Sequence, residues 1–223
     1  MRILLAEGQS ITREGIACLL RTMLPGVIVD QADSGAEALS RYAEQTADIV
    51  VTELLLPDFS GLELCKRLKA RWRRSAVLFA SVIDDPALVR QALDAGALGY
   101  VSRNCRPSEL IAAVRGVADH QLYLEHALAT RLAFANQGID DSRLGDVTQR
   151  ELEIMILTAR GSSPREVAQC LNISTKTVAN HLAVLKGKLG INSSIELLHR
   201  AADAGLVNYG KVGKLSESAS HLS

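Results

Sequence analysis

Five short apolar runs, separated by stretches with helical spacing, constrain the fold of residues 1–118 more than any other feature. The runs are Ile3 to Ala6, Val27 to Ala32, Ile49 to Leu54, Val77 to Ser81 and Gly99 to Ser102. Several lack polar alternation, which is typical of strands buried on both faces. The alternation predicts an α/β, flavodoxin-like fold with a five-stranded, doubly wound parallel sheet.

Polar side chains follow four of these runs at their carboxyl ends: Glu7, Glu53, Ser81 and Arg103. A parallel sheet places its functional site at that edge, so we expect these side chains to lie together. Carboxylates beside a hydroxyl and a cation would ordinarily form a Mg²⁺-assisted phosphoryl site, with one carboxylate as the acceptor.

Composition excludes several classes of protein. A chain of 223 residues with 48% hydrophobic residues and zero formal net charge favours two ordinary globular domains over a disordered or polycationic chain. Its four cysteines form no CxxC pair and its five histidines are scattered, so we expect neither a metal site nor a disulfide framework. Since no apolar run approaches a membrane span or a secretory core, we expect a cytoplasmic protein without membrane contact.

The segment from Ser163 to Gly190 predicts two helices that meet across a tight turn. Ser163 caps the first helix, Pro164 occupies its first position, and Glu166 completes a capping box. Ser174 caps the second helix, and Gly190 ends it in a left-handed conformation.

The second of these helices has a distinct apolar stripe and a distinct polar face. Val178, Leu182, Leu185 and Leu189 recur at helical spacing and must pack inward. The outward side carries Lys176, Thr177, Asn180 and Val184, with Lys188 at its edge and His181 and Ala183 on opposite flanks. A helix about 22 Å long with small outward side chains can lie in a DNA major groove.

This segment resembles the LuxR-type helix-turn-helix of the NarL/FixJ response regulators over about sixty residues. The matching positions are Thr148 to Glu153, Gly161, Glu166 to Ala168, Leu171 to Ser174, Thr177, Val178, His181, Lys188 to Gly190 and Gly205 to Val207. The chain departs from the family at Ala179 and Ala183, where several members carry basic side chains, and at Ser194, where an arginine is usual.

The first 110 residues resemble the receiver domain of the same regulators. The matching positions are Ile3 to Glu7, Arg13 to Gly15, Leu56, Pro57, Gly61, Gly96, Ala97, Gly99 and Tyr100. The functional positions depart from the family. Receivers usually carry two adjacent acids, an aspartate acceptor and a lysine, where this chain has Glu7 with Gly8, Glu53 and Arg103.

These departures predict a receiver that aspartyl phosphate does not switch. The loss of a carboxylate at Gly8 should lower Mg²⁺ affinity, so we expect no bound cofactor. Glu53 can imitate part of a phosphoryl group, with a charge of −1 against about −1.5 to −2. A bidentate Arg103–Glu53 pair would hold Ser81 and Tyr100 in one arrangement. The alternative is a structural salt bridge in a decayed site.

DNA contacts can be assigned by side-chain type. Candidates for phosphate contact are Ser163, Arg165, Lys176, Thr177, Lys186 and Lys188, and Asn180 is the candidate that reads a base. His181 is either a phosphate contact or a packed flank of its helix. The resemblance implies a homodimer on double-stranded DNA, and a sensor kinase or another regulator as a further partner.

The chain therefore divides into a receiver-like domain (1–118), a partly helical linker (119–146), a helix-turn-helix domain (147–210) and a disordered tail (211–223). In the linker, helical spacing predicts a helix from Tyr123 to Phe134, and the Asn, Gly, Asp and Ser residues of 136–145 predict a flexible joint. We expect a DNA-binding transcriptional regulator of bacterial two-component type. The alternative is an interaction protein that antagonises a related regulator or kinase and has lost DNA affinity. An enzyme is remote, because no Gly-rich phosphate loop follows any strand and no nucleophile–base pair is evident.

Overall fold

A computed structural model of the chain describes residues 1–136, 144 and 147–207. The tail predicted to be disordered (211–223) and nearly all of the predicted flexible joint (136–145) lie outside the described residues. Within the described ranges, no helix combines the length and the apolarity needed to cross a membrane.

The first part of the chain forms a parallel sheet, as predicted. Among the described residues its strands are β1 (Arg2–Ala6), β2 (Ile28–Ala32), β3 (Ile49–Thr52), β4 (Val77–Ser81), β5 (Gly99–Ser102) and β6 (Tyr123–Leu124), in the order β2-β1-β3-β4-β5-β6. Each neighbouring pair is parallel. The doubly wound α/β fold is therefore confirmed, with one strand more than the sequence predicted.

Helices cover both faces of this sheet because its strands are apolar on both sides. They are α1 (Ser10–Met23), α2 (Gly35–Glu44), α3 (Gly61–Arg71), α4 (Pro86–Asp94) and α5 (Pro107–Ala118). Leu4, Val50 and Phe79 lie in the buried cluster that includes side chains of α2, α3 and α4. The next side chains along the same strands, such as Leu5 and Leu78, join α1 and α5 in a second cluster. This alternation follows the two-residue period of a strand.

The additional strand corrects one prediction. Helical spacing predicted a single helix from Tyr123 to Phe134, whereas Tyr123 and Leu124 pair with β5 and the helix α6 spans His126–Asn136. The backbone N–H of Tyr123 donates to the carbonyl of Leu98 at 2.9 Å. Sheet pairing satisfies backbone groups that a frayed first helical turn would leave without partners, and so it overrides the local pattern.

The last described segment contains α7 (Gln149–Ala159), α8 (Pro164–Cys170), α9 (Thr175–Leu189) and α10 (Ser194–Asp203). The capping box predicted at Ser163 is present, Thr148 and Glu151 form another at the start of α7, and Ser174 caps α9. Gly190 ends α9 with φ of 64°, in the left-handed region that glycine enters without penalty. Asn172 turns the chain between α8 and α9 with φ of 51°. The predicted helix-turn-helix is therefore confirmed.

The two parts of the chain share one buried apolar cluster. It runs from Leu56 and Leu88 of the α/β part to Leu152 and Met155 of α7. Polar contacts cross the same boundary: Ser60 Oγ donates to Glu153 Oε1 at 3.1 Å, Gln149 Nε2 to Glu63 Oε2 at 3.4 Å, and Gln91 Nε2 to the Val147 carbonyl at 2.5 Å. The helix-turn-helix is therefore docked on the α/β part through α7, and the outward face of α9 stays exposed.

Candidate functional site

The end of β3 places Glu53 in the centre of the predicted site. Its side chain is 5% exposed, and the backbone N–H of Leu54 donates to its Oε1 at 2.6 Å. Ser81, the last residue of β4, donates its hydroxyl to the same oxygen. The predicted approach of these strand ends is therefore present in the structure.

Arg103 bridges two carboxylates rather than gripping one. Its Nη2 lies 3.0 Å from Glu53 Oε2, and its Nη1 donates to Glu7 Oε2. The bidentate pair predicted between Arg103 and Glu53 is wrong, because Glu7 takes one edge of the guanidinium. The other oxygen of Glu7 accepts the backbone N–H of Gln9 at 2.8 Å. The planar guanidinium thus pairs with two carboxylates that are each almost fully buried, and its single positive charge is shared between them.

Burial dominates the protonation of Glu53. Desolvation of the charged form raises the pKa of this carboxyl above its usual range, and the Glu7 carboxylate raises it further. The charge of Arg103 and the hydrogen bonds from Ser81 and Leu54 oppose this shift. Within the described residues, Glu53 Oε2 accepts no hydrogen bond, so its contact with Arg103 is an ion pair without hydrogen-bond geometry.

Ser81 and Tyr100 are held in a single arrangement beside Glu53. Ser81 Oγ, which donates to the carboxylate, also accepts the backbone N–H of Ile83 at 3.1 Å. Tyr100 is fully buried, stacks on Phe79 with ring centroids 5.6 Å apart, and donates its hydroxyl to the Ile83 carbonyl at 2.5 Å. Ile83, in the loop after β4, is therefore held by Ser81, which is bound to Glu53, and by Tyr100.

The residues at this edge do not fit a Mg²⁺ ion. A Cβ on Gly8 would lie 2.8 Å from the ring of Pro57, so an acidic side chain has no room at that position. Glu7, the remaining carboxylate of the usual pair, is already bound to Arg103. Among the described residues, no group of three or more His, Cys, Asp or Glu side chains is arranged to hold a metal ion.

A cleft lies beside the site. Glu7, Glu53 and Arg103 border this cleft of about 880 Å³, which opens between α1, the loop after β5 and the end of α10. The cleft reaches the edge of the site, whereas the Glu53 side chain itself is 5% exposed and its Oε2 atom is buried.

Asp58 has a structural role. One of its carboxylate oxygens accepts the N–H of Gly35 at 2.9 Å and the other accepts that of Ala36 at 2.8 Å, at the start of α2. The same side chain accepts the N–H of Phe59 at 2.9 Å. Both oxygens are thus engaged with backbone donors, as is common for an aspartate in a turn.

On the second predicted site, the outward face of α9 is accessible. Lys176, Ala179, Asn180 and Ala183 are exposed, and Val184 is 51% exposed. Val178 and Leu185 are buried against the domain core, as the apolar stripe predicted. The helix therefore presents to solvent the face that was assigned to DNA.

The predicted cationic contacts fall into two groups. Arg165 and Lys176 are exposed near the starts of α8 and α9. Lys188 Nζ lies 2.8 Å from Glu151 Oε2 of α7, and Lys186 Nζ lies 3.5 Å from Ser194 Oγ. The last two cations are therefore turned toward their own domain, which the sequence did not reveal.

The remaining predicted contacts are spread around the starts of α8 and α9. Ser163 Oγ accepts the N–H of Glu166 at 3.3 Å, and Thr177 Oγ1 lies 2.8 Å from Ser174 Oγ. His181 is half-buried on α9. The DNA role of each of these side chains stays a prediction.

Interdomain contacts were not predicted. Glu153 is 7% exposed, accepts from Ser60, and also pairs with Arg150 at 3.0 Å. The sequence signal for this contact was the position of Glu153 in the inward stripe of α7, because a buried carboxylate needs a partner from another element.

Comparison with known protein families gives two matches that together cover most of the chain. The model for "Response regulator receiver domain" matches residues 3–115, and that for "Bacterial regulatory proteins, luxR family" matches residues 146–201. The first match covers the sheet with its buried carboxylates, and the second covers the helix-turn-helix.

Several characterised proteins are similar along nearly their whole length. The transcriptional activator protein ExaE of Pseudomonas putida is 43% identical over 210 residues, which are 93% of this chain and 98% of ExaE. The transcriptional regulatory protein UhpA of Salmonella typhimurium is 38% identical over 201 residues, 90% of this chain and 97% of UhpA. The structure of RcsB from Salmonella enterica serovar Typhimurium, bound to promoter rprA, superposes with a TM-score of 0.73 at 24% identity and covers 91% of this chain and 98% of RcsB, which shows a common fold.

Proposed function

The chain belongs to the two-component response regulators that join a receiver domain to a LuxR-type DNA-binding domain, and we propose that its receiver is not switched by aspartyl phosphate. Glu53 instead supplies a carboxyl group that needs no modification and holds the receiver in one output state. The observation that carries this proposal is the position of Glu53, buried at the end of β3 between Ser81 and Arg103.

Two features of the pocket support this proposal. A Cβ at position 8 would meet Pro57, and Arg103 occupies Glu7, so the Mg²⁺ that assists phosphoryl transfer lacks its carboxylate ligands. The bonds from Glu53 to Ser81, and from Ser81 to the loop after β4, are already made without any modification. A phosphoryl group would therefore find both its metal and its hydroxyl partner unavailable.

Incubation with acetyl phosphate and Mg²⁺, followed by mass spectrometry of the intact protein and its peptides, tests the first half of the proposal. We expect no phosphoryl mass increase. Phosphorylation of Glu53 or of a nearby aspartate such as Asp58 refutes it.

The second half is tested with Glu53→Gln, which keeps the shape of the side chain and removes its charge. Exposed Glu44→Gln, at the end of α2, is the matched control for the loss of one carboxylate. DNA affinity and oligomeric state are measured at fixed salt without phosphodonor. If Glu53 imitates the modified state, Glu53→Gln changes both quantities and Glu44→Gln changes neither. Equal behaviour of all three proteins shows instead a structural salt bridge in a vestigial pocket.

We further propose that the protein acts in the cytoplasm as a homodimer on double-stranded DNA and performs no catalysis. Exposed Arg165 and Lys176 near the starts of α8 and α9, together with the open face of α9, support DNA contact. Salt-dependent binding of the full-length protein to duplex DNA is the test. Its absence favours the interaction protein that captures a kinase or another regulator.

A further inference from the structure

The outward face of α9 consists of two rows of side chains. One row contains Lys176, Asn180 and Val184, spaced four residues apart, and the other contains Ala179 and Ala183. All five are exposed. Lys176 supplies the charge at the start of this face. Beyond it, the centre carries one hydrogen-bonding side chain, Asn180, beside the methyl and isopropyl groups of Ala179, Ala183 and Val184.

We infer that α9 reads thymine through the methyl groups of Ala179, Ala183 and Val184. The inference rests on the proposed DNA binding and names the base chemistry that this face selects. In the major groove only thymine offers a methyl group, whereas guanine and cytosine offer polar edges there. The apolar side chains of Ala179, Ala183 and Val184 leave the polar edges of a G·C pair desolvated and unpaired, and this penalty rejects them.

The small size of these side chains strengthens the argument. Ala179 and Ala183 extend no further than Cβ, so the helix axis can approach the base edges more closely than a helix with long basic side chains. Lys186 and Lys188, which could compete for guanine, are turned toward Ser194 and Glu151. What remains at the centre is apolar contact for thymine and an Asn180 amide for adenine.

Helix geometry sets the spacing of the contacted bases. Ala179 and Ala183 are separated by one turn, about 6 Å at about 1.5 Å per residue. Successive base pairs are about 3.4 Å apart, so the two alanines contact thymines about two base-pair steps apart. Selection of duplexes from a randomised library by the full-length protein should therefore return A·T-rich half-sites with this spacing.

The test replaces thymidine by deoxyuridine in the selected duplex, one position at a time, which removes only the 5-methyl group. We expect about fourfold weaker binding at each contacted thymine, since burial of a CH₂-sized group is worth about 0.8 kcal/mol and 1.4 kcal/mol is tenfold. Ala183→Ser should bind the thymine and uracil duplexes equally at one of these positions. Ala112→Ser, an exposed alanine of α5, is the matched control and should discriminate as wild type does.

The outcomes separate the inference from the proposed function. Salt-dependent, sequence-selective binding with no deoxyuridine effect above twofold at any position overturns thymine reading and leaves DNA binding intact. A deoxyuridine effect that persists unchanged in the serine variants of both alanines and in Val184→Ser overturns it as well. No DNA binding at any salt concentration refutes the proposed function, and the inference falls with it.

Discussion

Arg103 should be the most sensitive position in the receiver, because it is paired with two buried carboxylates. Its side chain is 15% exposed, and those of Glu7 and Glu53 are 3% and 5% exposed. At 3.0 Å and an effective dielectric constant of about 20, one such pair attracts by about 5 kcal/mol before desolvation is subtracted. Arg103→Met retains much of the apolar stem and leaves both acids without a cation, which should lower the free energy of unfolding by about 3–5 kcal/mol.

The assay is urea denaturation followed by fluorescence of Trp72, the single tryptophan, which lies at the end of α3 and reports on the receiver. Arg106→Met is the matched control, since this guanidinium is 79% exposed in the same loop and is paired with Glu109. We expect the control to unfold at nearly the same urea concentration as the wild type, because an exposed ion pair contributes little to stability. An equal, small loss of stability in both variants refutes the idea that Arg103 stabilises buried carboxylates.

The pH dependence of the stability loss in Arg103→Met provides an independent test of the role of Arg103. The pKa of Glu53 is raised in the folded protein, so its contribution to stability is full below the unfolded pKa and is lost as pH rises through the folded pKa. Removal of Arg103 raises this pKa further. The deficit of Arg103→Met should therefore be largest at neutral pH and shrink in acid, and Glu53→Gln in the same chain should recover part of it. A deficit independent of pH contradicts this account.

Other perturbations test the remaining parts of the site. Gly8→Asp should not create Mg²⁺ affinity in calorimetric titration and should cost about 1–3 kcal/mol in urea denaturation, because its Cβ meets Pro57. Asp58→Ala should cost about 1 kcal/mol by the same measurement, through the lost cap of α2. Asn180→Ala should lower DNA affinity by about 1–3 kcal/mol at one base pair in competition with point-substituted duplexes, whereas Lys176→Ala should weaken all sequences alike and reduce the salt dependence. Equal losses of Asn180→Ala on specific and random DNA remove it from base reading.

The sequence was sufficient for the sheet and for the meeting of its strand ends, because parallel topology alone brings Glu7, Glu53 and Arg103 to one edge. It was insufficient to predict that Arg103 contacts both Glu7 and Glu53. Either carboxylate lies within reach of the guanidinium, and the sequence does not say which one it binds. Thr148 and Ser163 were equally predictable, as caps act within four residues.

Long-range pairs were beyond local patterns. Lys188 and Glu151 lie on different helices. Local sequence explains each one without the other, since Lys188 fits an exposed cation and Glu151 fits a capping acid. Tyr123 lies in an edge strand rather than in the predicted helix for the same reason. Its partner on β5 is distant in sequence, so the local pattern does not show the pairing. The misjudged features are thus those in which tertiary contact decides between two acceptable local structures.

The open face of α9 has a consequence for how such a protein can be controlled. Docking through α7 leaves the recognition surface accessible, so each chain is competent to touch one major groove while its domains are joined. In a homodimer the limiting quantity is then the distance between two α9 helices, which must match about 34 Å, one turn of DNA. The angle between paired receivers would set this distance. Regulation would then consist of selecting operators by the separation of their half-sites.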